Sequence, residues 1–358
     1  MKICYLGDVN IQVRLVSAHF AAQGHEVHIC TFRPGVAEHA TVHPLLSGRL
    51  RSKAQYLMAL PRLRRILASV DPDVVHAFYV TSYGLLGSLS CPDRLVLNAM
   101  GSDILLGPRD TIWRRWLVSH ALARARMILS VAPHLTERLV SLGAPPDKVE
   151  TFPRGIDTSL FHPGETPVGQ RGPTVICVRK MEPLYNHAVL LEAAPKILAR
   201  NPEVRFVLCG DGSLKADLRA KIENLGVTKA FTFLGDTPHA QLPELLRQAS
   251  VYFSGAVSDG TSVSLLEAMG AGAYPIVTDI AANRDWIEDG VNGSLFPSND
   301  SEALAERILR ALGDASARDE AARRNQEIVR QRASWSEGTR RLGEVYRRVA
   351  AAVPLAGR

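Results

Sequence analysis

The sequence has little that would place the chain in a membrane or outside the cell. Its 358 residues contain no uninterrupted apolar run near the ~18 residues that a bilayer-spanning helix needs. The apolar run at residues 3–6 ends at a glycine and is too short for the core of a signal peptide. We therefore expect a cytoplasmic protein.

Cysteine is scarce, and its spacing excludes the common metal-binding patterns. The chain has five cysteines, and four of them lie in apolar, strand-like runs. We interpret them as buried free thiols in a reducing compartment. The histidines are scattered as well, so we expect that the protein needs no metal. The cysteines are Cys4, Cys30, Cys91, Cys177 and Cys209.

Basic residues outnumber acidic ones, 42 to 36, which gives a formal net charge of +6. This excess favours an anionic partner, and nucleic acid, acidic lipid and phosphorylated metabolites all qualify. The sequence contains no helix-turn-helix, zinc-finger or RNA-binding aromatic motif, so we expect no nucleic-acid partner.

Length and patterning predict two α/β domains. An apolar content of 46% is ordinary for a globular protein, and 358 residues exceed what one core comfortably holds. Short apolar strands alternate with helical segments in both halves, which is typical of doubly wound parallel sheets. A proline- and glycine-rich stretch at 161–173 has the composition of a linker.

These patterns predict two doubly wound, Rossmann-like domains at residues 1–165 and 172–334. We expect the domains to face each other across a cleft, with the ligand at the carboxyl ends of the strands. An arginine-rich helical run at about 335–352 could pack back on the first domain.

The stretch 257–269 follows an apolar strand and predicts a loop and then a helix. The N–H groups at such a helix start form a site for a phosphate or diphosphate. Asp259 and Glu267 would flank that site and accept hydrogen bonds from hydroxyl groups of a sugar and a ribose. Alternatively, Ser264 and Glu267 form a capping box, and Asp259 belongs to an ordinary turn.

Several segments carry motifs in a fixed order along the chain: GHEVHICT at 24–31, FPRGIDTSLFHP at 152–163, CGDGSLKADL at 209–218, FLGDTPHAQLPELLRQASVYFS at 233–254, and 257–269. In this order they resemble glycosyltransferase family 4, the retaining enzymes of GT-B fold. The resemblance covers nearly the whole chain. It implies transfer of a sugar from a UDP- or GDP-linked donor, with the donor on the second domain and the acceptor on the first.

The resemblance also implies roles for individual residues. Asp259 would hold hydroxyls of the donor sugar, Glu267 would hold the ribose, and the backbone that follows Asp259 would hold the diphosphate. Arg179 matches a family arginine that neutralises the leaving diphosphate. The other donor-side candidates are Lys180, Gly210, Gly212, Gly260, Thr261, Ser262 and Val263.

The chain departs from the family pattern at three places. Asp259 stands where glutamate is usual, and Tyr185-Asn186 stands where lysine-glycine is expected. Because tyrosine cannot supply a positive charge, one cation is lost at the diphosphate, and Lys180 could replace it. Met100 occupies a histidine position in the strand and loop near the donor sugar.

In that same loop Asp103 is retained, and we predict either a catalytic role or a cap for the following segment. A second loop follows the first strand and should overhang the cleft. The acceptor-side candidates in these two loops are Gly7, Asp8, Asn10, Gly101 and Ser102.

We therefore expect a retaining hexosyltransferase of glycan, glycolipid or small-molecule glycoside biosynthesis, acting on a hydroxyl acceptor that could be lipid-linked. The alternatives are a sugar-nucleotide isomerase or epimerase, which shares the architecture, and a non-catalytic scaffold that binds nucleotide sugars.

Two basic segments, at 49–67 and 112–129, mix arginines with aliphatic side chains, and the second adds Trp113 and Trp116. This pattern predicts peripheral association with the anionic inner face of a membrane. Alternatively, both segments are solvated faces of helices packed on a sheet.

Overall fold

A computed structural model describes residues 1–33, 35–46, 55–106 and 112–352 of the chain. The starts of the helices predicted near 52–69 and 110–124 lie outside the described residues. The chain divides into two compact units. The first comprises Met1–Pro153 and the segment from Gly338 onward, and the second is Arg154–Glu337.

The first unit is built on a parallel sheet of seven strands in the order β3-β2-β1-β4-β5-β6-β7. The predicted α/β class, with doubly wound parallel sheets, is confirmed for this unit. Strands β3 and β7 at the sheet edges were not predicted. The strands are β1 Lys2–Leu6, β2 Glu26–Thr31, β3 Thr41–Pro44, β4 Val74–Phe78, β5 Leu95–Asn98, β6 Met127–Ser130 and β7 Val149–Thr151.

Helices cover both faces of this sheet. The segment expected as one helix near 52–69 breaks at Ala59, and the helix expected near 81–89 begins with a π-helical turn at Tyr79–Gly84. The α-helices are α1 Ile11–Ala22, α2 Gln55–Met58, α3 Leu60–Val70, α4 Leu85–Ser90, α5 Ser102–Leu105, α6 Ile112–Arg124, α7 Pro133–Ser141 and, at the C-terminus, α15 Trp335–Ala351.

Alternate residues of β1 point to opposite faces of the sheet, as strand geometry requires. Cys4 and Leu6 belong to a buried core with residues of α3, α4, α6 and α7. Tyr5 points to the other face, which is covered by α1 and by the C-terminal helix α15.

Helix α15 packs on the first unit through a buried aromatic cluster. The Tyr346 hydroxyl lies 2.5 Å from His76 Nδ1 and donates to Tyr5 Oη at 3.4 Å. The ring centroids of Phe20 and Tyr346 are 4.9 Å apart. Each of these side chains is at most 2% exposed, so α15 packs on this unit through a buried aromatic contact.

The buried imidazole of His76 predicts a stability that depends on pH. Burial lowers the pKa of His76 to about 3, against an ordinary value of 6.5. The unfolded chain therefore binds one more proton than the folded chain between those values, and stability falls as the pH drops from 6.5 toward 3. We expect a contribution of about 1.4 kcal/mol per pH unit from this residue.

Urea unfolding of the wild type and of His76→Gln, followed from pH 7.5 downward, measures this contribution. The difference between the two proteins removes the background from titrating carboxylates. If the free energy of unfolding changed with pH in the same way for both proteins, the pKa of His76 would be the same in the folded and unfolded states, and the prediction would be wrong.

The second unit repeats the plan with six parallel strands in the order β10-β9-β8-β11-β12-β13. The strands are β8 Thr174–Val178, β9 Arg205–Cys209, β10 Phe231–Gly235, β11 Val251–Ser254, β12 Tyr274–Thr278 and β13 Ser294–Phe296. The helices are α8 Ala188–Arg200, α9 Lys215–Asn224, α10 Leu242–Gln248, α11 Val263–Gly270, α12 Ala281–Arg284, α13 Ser301–Gly313 and α14 Ala315–Arg332.

The boundary expected at residue 165 is wrong, because the chain joins the second unit at Arg154. Ile156 N donates to Ala333 O at 2.9 Å, and Trp335 N donates to Ile156 O at 2.8 Å. These bonds fix residues 154–156 to the end of α14.

The stretch 161–173 is not the flexible linker that its composition predicted. The guanidinium of Arg171 is buried and donates to four backbone carbonyls, those of Pro163, Leu246, Ala249 and Ala271, at 2.9–3.4 Å. Arg318 donates to Gly169 O at 2.8 Å from the other side. The segment is therefore an integral part of the second unit.

No helix within the described ranges is long and apolar enough to cross a bilayer.

Candidate functional site

The donor-side candidates converge where β11 leads into α11. Ser262 caps this helix, because its Oγ accepts from Leu265 N at 3.2 Å. The capping box considered for Ser264 and Glu267 is therefore wrong, since the helix begins earlier and Glu267 lies past its first turn. The N–H groups of that turn follow directly on the loop at 259–262.

Arg179, just after β8, reaches this helix start. Its guanidinium forms an ion pair with Asp259 and donates to Ser262 Oγ at 3.0 Å and Ser264 Oγ at 3.3 Å. Burial opposes the charged form of Arg179, but the combined effect of Asp259, Tyr252 and Tyr185 exceeds it and raises the pKa above the usual value. The site thus holds a permanent, oriented cation beside a carboxylate.

Tyr185, which stands where a lysine is expected, makes a direct contact with Arg179. Its ring lies under the Arg179 guanidinium, with 4.2 Å from Cζ to the ring centroid, and the cation–π contact helps to fix the arginine. Asn186 has φ 41°, in the left-handed region that the expected glycine would adopt freely. Asparagine tolerates this conformation, which explains why the turn survives the departure from the family pattern.

Glu267 lies on α11 and is only 4% exposed. Its Oε1 is 2.7 Å from His239 Nε2, in the loop that follows β10. The hydrogen bond to Glu267 raises the pKa of His239, while burial lowers the pKa of nearby Arg154 to about 10. A buried carboxylate that is hydrogen-bonded to His239 and lies near the Arg154 cation is a strong acceptor for hydroxyl groups.

The glycines at 210 and 212 have a packing role. A Cβ at Gly210 would lie 2.4 Å from Arg179 O, and one at Gly212 would lie 2.4 Å from Met181 O. These contacts show that only glycine lets the loop after β9 approach the loop that carries Arg179. Lys180, in the latter loop, is exposed. Donor contacts by these three residues stay predictions.

In the first unit, Asp8 follows β1 and accepts from the Tyr83 hydroxyl at 2.5 Å. Its other oxygen is 3.3 Å from Arg33 Nε. Asn10 caps α1, since its Oδ1 accepts from Gln12 N and Val13 N. Capping therefore explains Asn10. The carboxylate of Asp8 is positioned by Tyr83 and Arg33, and its contact with the acceptor stays a prediction. Gly7 is buried against Phe78 and Val13.

Asp103 is a buried structural carboxylate. It accepts from Val80 N at 2.7 Å and from Met100 N at 3.1 Å. Burial raises its pKa, and these backbone bonds oppose the rise. The geometry favours loop positioning over direct catalysis. The cap predicted for the following segment is wrong, because Gly101 is the N-cap of α5 without a side-chain cap bond, and Asp103 binds N–H groups of residues that precede it. Beside it, Gly101 is buried with φ 112° and Ser102 is exposed.

The fold thus brings Arg179, Asp259 and the start of α11 together, with Glu267 further along the same helix. Sequence reasoning missed His239, Arg154 and Tyr83, because single residues in loops carry no spacing signal that marks them as neighbours of a site. Among the described residues, no group of three or more His, Cys, Asp or Glu side chains is placed to hold a metal ion.

Two family models match the chain. Glycosyl transferases group 1 matches residues 161–328, and Glycosyl transferase 4-like matches residues 2–132. The 4-like match lies within the predicted acceptor domain. The group 1 match lies almost entirely within the predicted donor domain.

Curated relatives include the phosphatidyl-myo-inositol mannosyltransferase of Mycolicibacterium smegmatis, 32% identical over 210 residues, which cover 58% of this chain and 53% of that protein. A putative colanic acid biosynthesis glycosyltransferase, WcaL of Salmonella typhimurium, is 24% identical over 78% of this chain and 71% of that protein. The chain spans about half the length of most of the first relatives that it matches.

Among solved structures, Anabaena HepE in complex with UDP-glucose has a TM-score of 0.82 at 17% identity. The alignment covers 97% of this chain and 100% of that chain, and it supports a shared GT-B fold. With both halves matched by glycosyltransferase models, the chain belongs to the group 1, family 4-like glycosyltransferases.

Proposed function

We propose that the chain transfers a hexosyl group from a UDP- or GDP-linked sugar to a hydroxyl acceptor with retention of anomeric configuration. The observation that carries this proposal is the oriented Arg179 cation at the start of α11, followed on the same helix by the buried carboxylate of Glu267. The family supplies the general reaction, and these residues supply its chemistry in this chain.

The diphosphate would sit at the start of α11, against the N–H groups of residues 260–263 and the guanidinium of Arg179. In the free protein Arg179 is neutralised by Asp259. A diphosphate would compete for this cation, and the Asp259 carboxylate would then turn to hydroxyls of the donor sugar. This exchange couples binding of the leaving group to binding of the sugar.

Glu267 would accept hydrogen bonds from the ribose hydroxyls, with His239 beside it at 2.7 Å. In the transfer step the bond between the anomeric carbon and the diphosphate breaks as the acceptor oxygen bonds to the same face. The acceptor proton would pass to the departing diphosphate oxygen, so this route needs no separate protein base. Arg179 and the helix start stabilise the negative charge that develops on the leaving group.

The acceptor would be a polyol or saccharide hydroxyl carried on a lipid. Support comes from the names of relatives that act on phosphatidyl-myo-inositol and phosphatidylinositol. Asp8, held by Tyr83, is the acceptor-side carboxylate that we assign to bind such a hydroxyl. No feature of the described residues favours the isomerase or the scaffold over transfer.

Retention can be tested without knowing the acceptor, because such enzymes slowly transfer the sugar to water. Proton NMR of the sugar first released from an α-linked donor should show the α anomer before mutarotation. Initial release of the β anomer would exclude retention while leaving donor binding intact.

Replacing Glu267 with alanine should weaken binding of the nucleoside diphosphate by about 10–100-fold, because hydrogen bonds to a charged acceptor contribute about 1.5–3 kcal/mol. Glu267→Gln should weaken this binding less than Glu267→Ala does, because glutamine keeps one acceptor oxygen. Isothermal titration with UDP and GDP measures the loss.

Ser213→Ala is a matched control, because Ser213 is hydrogen-bonded to Glu182 in a neighbouring loop and lies outside the proposed ribose contact. Unchanged affinity in a folded Glu267→Ala protein would remove this residue from the ribose site.

A further inference from the structure

The start of helix α6 exposes an unusual concentration of large apolar side chains. Ile112 is 81% exposed, Trp113 74% and Trp116 58%. At about 100° per residue these side chains and Leu117 share one face, while Val118 and Leu122 on the opposite side pack into the core. Large exposed apolar patches of this kind usually mark a surface that binds a protein or a membrane.

Arg114 and Arg115 border this apolar face on its two sides in the same helical projection, and both are exposed. Arginine side chains are long enough to extend from such flanking positions toward the edge of an apolar face. No acidic residue occurs in residues 112–124, and the charged side chains of the helix itself are all basic.

The fold brings the second basic segment into the same layer. Helix α4 lies between α3 and α6, since Arg64 donates to Leu89 O at 2.8 Å and Arg124 donates to Ser88 O at 3.0 Å. Both α2–α3 and α6 return from one parallel strand to the next, so both begin at the carboxyl edge of the sheet.

At that edge the α2 segment also exposes apolar side chains, with Leu57 53% and Met58 71% exposed. Exposed Arg62 and Arg65 follow on α3, and residues 55–70 contain no acidic side chain. The segments 55–70 and 112–124 thus present the same chemistry on one layer of one unit.

We propose that this layer docks on a bilayer containing anionic phospholipid. The docking face consists of Leu57, Met58, Ile112, Trp113, Trp116 and Leu117. The tryptophans would lie at the level of the headgroups, and the surrounding arginines would bind lipid phosphates. A protein partner would need an acidic surface to match, whereas an anionic bilayer offers both its charge and its apolar layer. The surface does not depend on the proposed transfer reaction.

Flotation of the full chain with vesicles tests the proposal. We expect binding to vesicles of phosphatidylcholine with phosphatidylglycerol, weak binding to phosphatidylcholine alone, and release as salt rises. Arg114→Glu/Arg115→Glu should lower the partition coefficient by about tenfold or more. Trp113→Ser/Trp116→Ser should lower it as well, and brominated lipid should quench tryptophan emission in the wild type but not in this variant.

The matched controls are Arg323→Glu/Arg324→Glu, two exposed neighbours on α14, and Ile11→Ser/Leu15→Ser, exposed residues of α1 on the other face of the first sheet. Both controls should bind vesicles as the wild type does, and circular dichroism checks that every variant is folded. Absence of binding at low salt, or equal binding by the α6 variants, would overturn the proposal. A dimer in sedimentation that dissociates in the tryptophan variant would show that a second copy covers the face instead.

Discussion

Replacing Arg179 with alanine should lower turnover of the nucleotide sugar by about 10²–10³-fold, the usual effect of removing one group that stabilises a developing anion. The effect should be large because Tyr185 stands where a second cation would be expected and stacks on Arg179 itself. Few other charges can take over the role. Release of the nucleoside diphosphate from the donor, with water as acceptor, measures this turnover.

Arg179→Lys keeps the charge but loses the planar fork that contacts Asp259, Ser262 and Ser264 together, so we expect an intermediate loss. Lys180→Ala is the control, because this neighbouring cation is exposed and should change turnover by less than about tenfold. If Lys180→Ala abolished turnover while Arg179→Ala retained it, the leaving-group cation would be Lys180.

Arg171→Ala should destabilise the second unit by about 4 kcal/mol. The buried guanidinium donates to four carbonyls of the chain, and its removal leaves acceptors unsatisfied as well as a cavity. Burial lowers its pKa to about 10, so the side chain remains charged at neutral pH. Denaturant unfolding monitored by tryptophan emission reports the change.

Arg200→Ala is the matched control, since its guanidinium makes an exposed ion pair with Glu306 and should contribute at most about 1 kcal/mol. Arg171→Lys should fall between the two, because an ammonium cannot span carbonyls on both sides. Equal stability of Arg171→Ala and the wild type would mean that residues 161–173 are not fixed by this side chain.

The strand and helix alternation was predictable because buried parallel strands form short apolar runs. Strands Thr41–Pro44, Val149–Thr151 and Ser294–Phe296 were missed because they are short, and the first of them includes a histidine and a proline. The segment 161–173 was misjudged because composition does not show that Arg171 and Arg318 fix it. Arg318 comes from 149 positions away in the chain.

Only those parts of the site that lie within one segment of the chain could be predicted from the sequence. Asp259 and Glu267 are eight positions apart on one loop and helix, so their spacing carries information in the sequence itself. The contact between Glu267 and His239 joins residues 28 positions apart in different segments, and only the fold brings them together. The ion pair between Arg179 and Asp259 likewise depends on the packing of β8 beside β11.

The most direct test of the account is titration of the wild-type chain with UDP, GDP and their sugar conjugates by calorimetry. We predict saturable binding of one nucleotide series. Binding should be weaker in Arg179→Ala and about 10–100-fold weaker in Glu267→Ala, in proteins that melt as cooperatively as the wild type. No binding of any nucleoside diphosphate to a cooperatively folded wild type at millimolar concentration would contradict the assignment of a donor site at the start of α11.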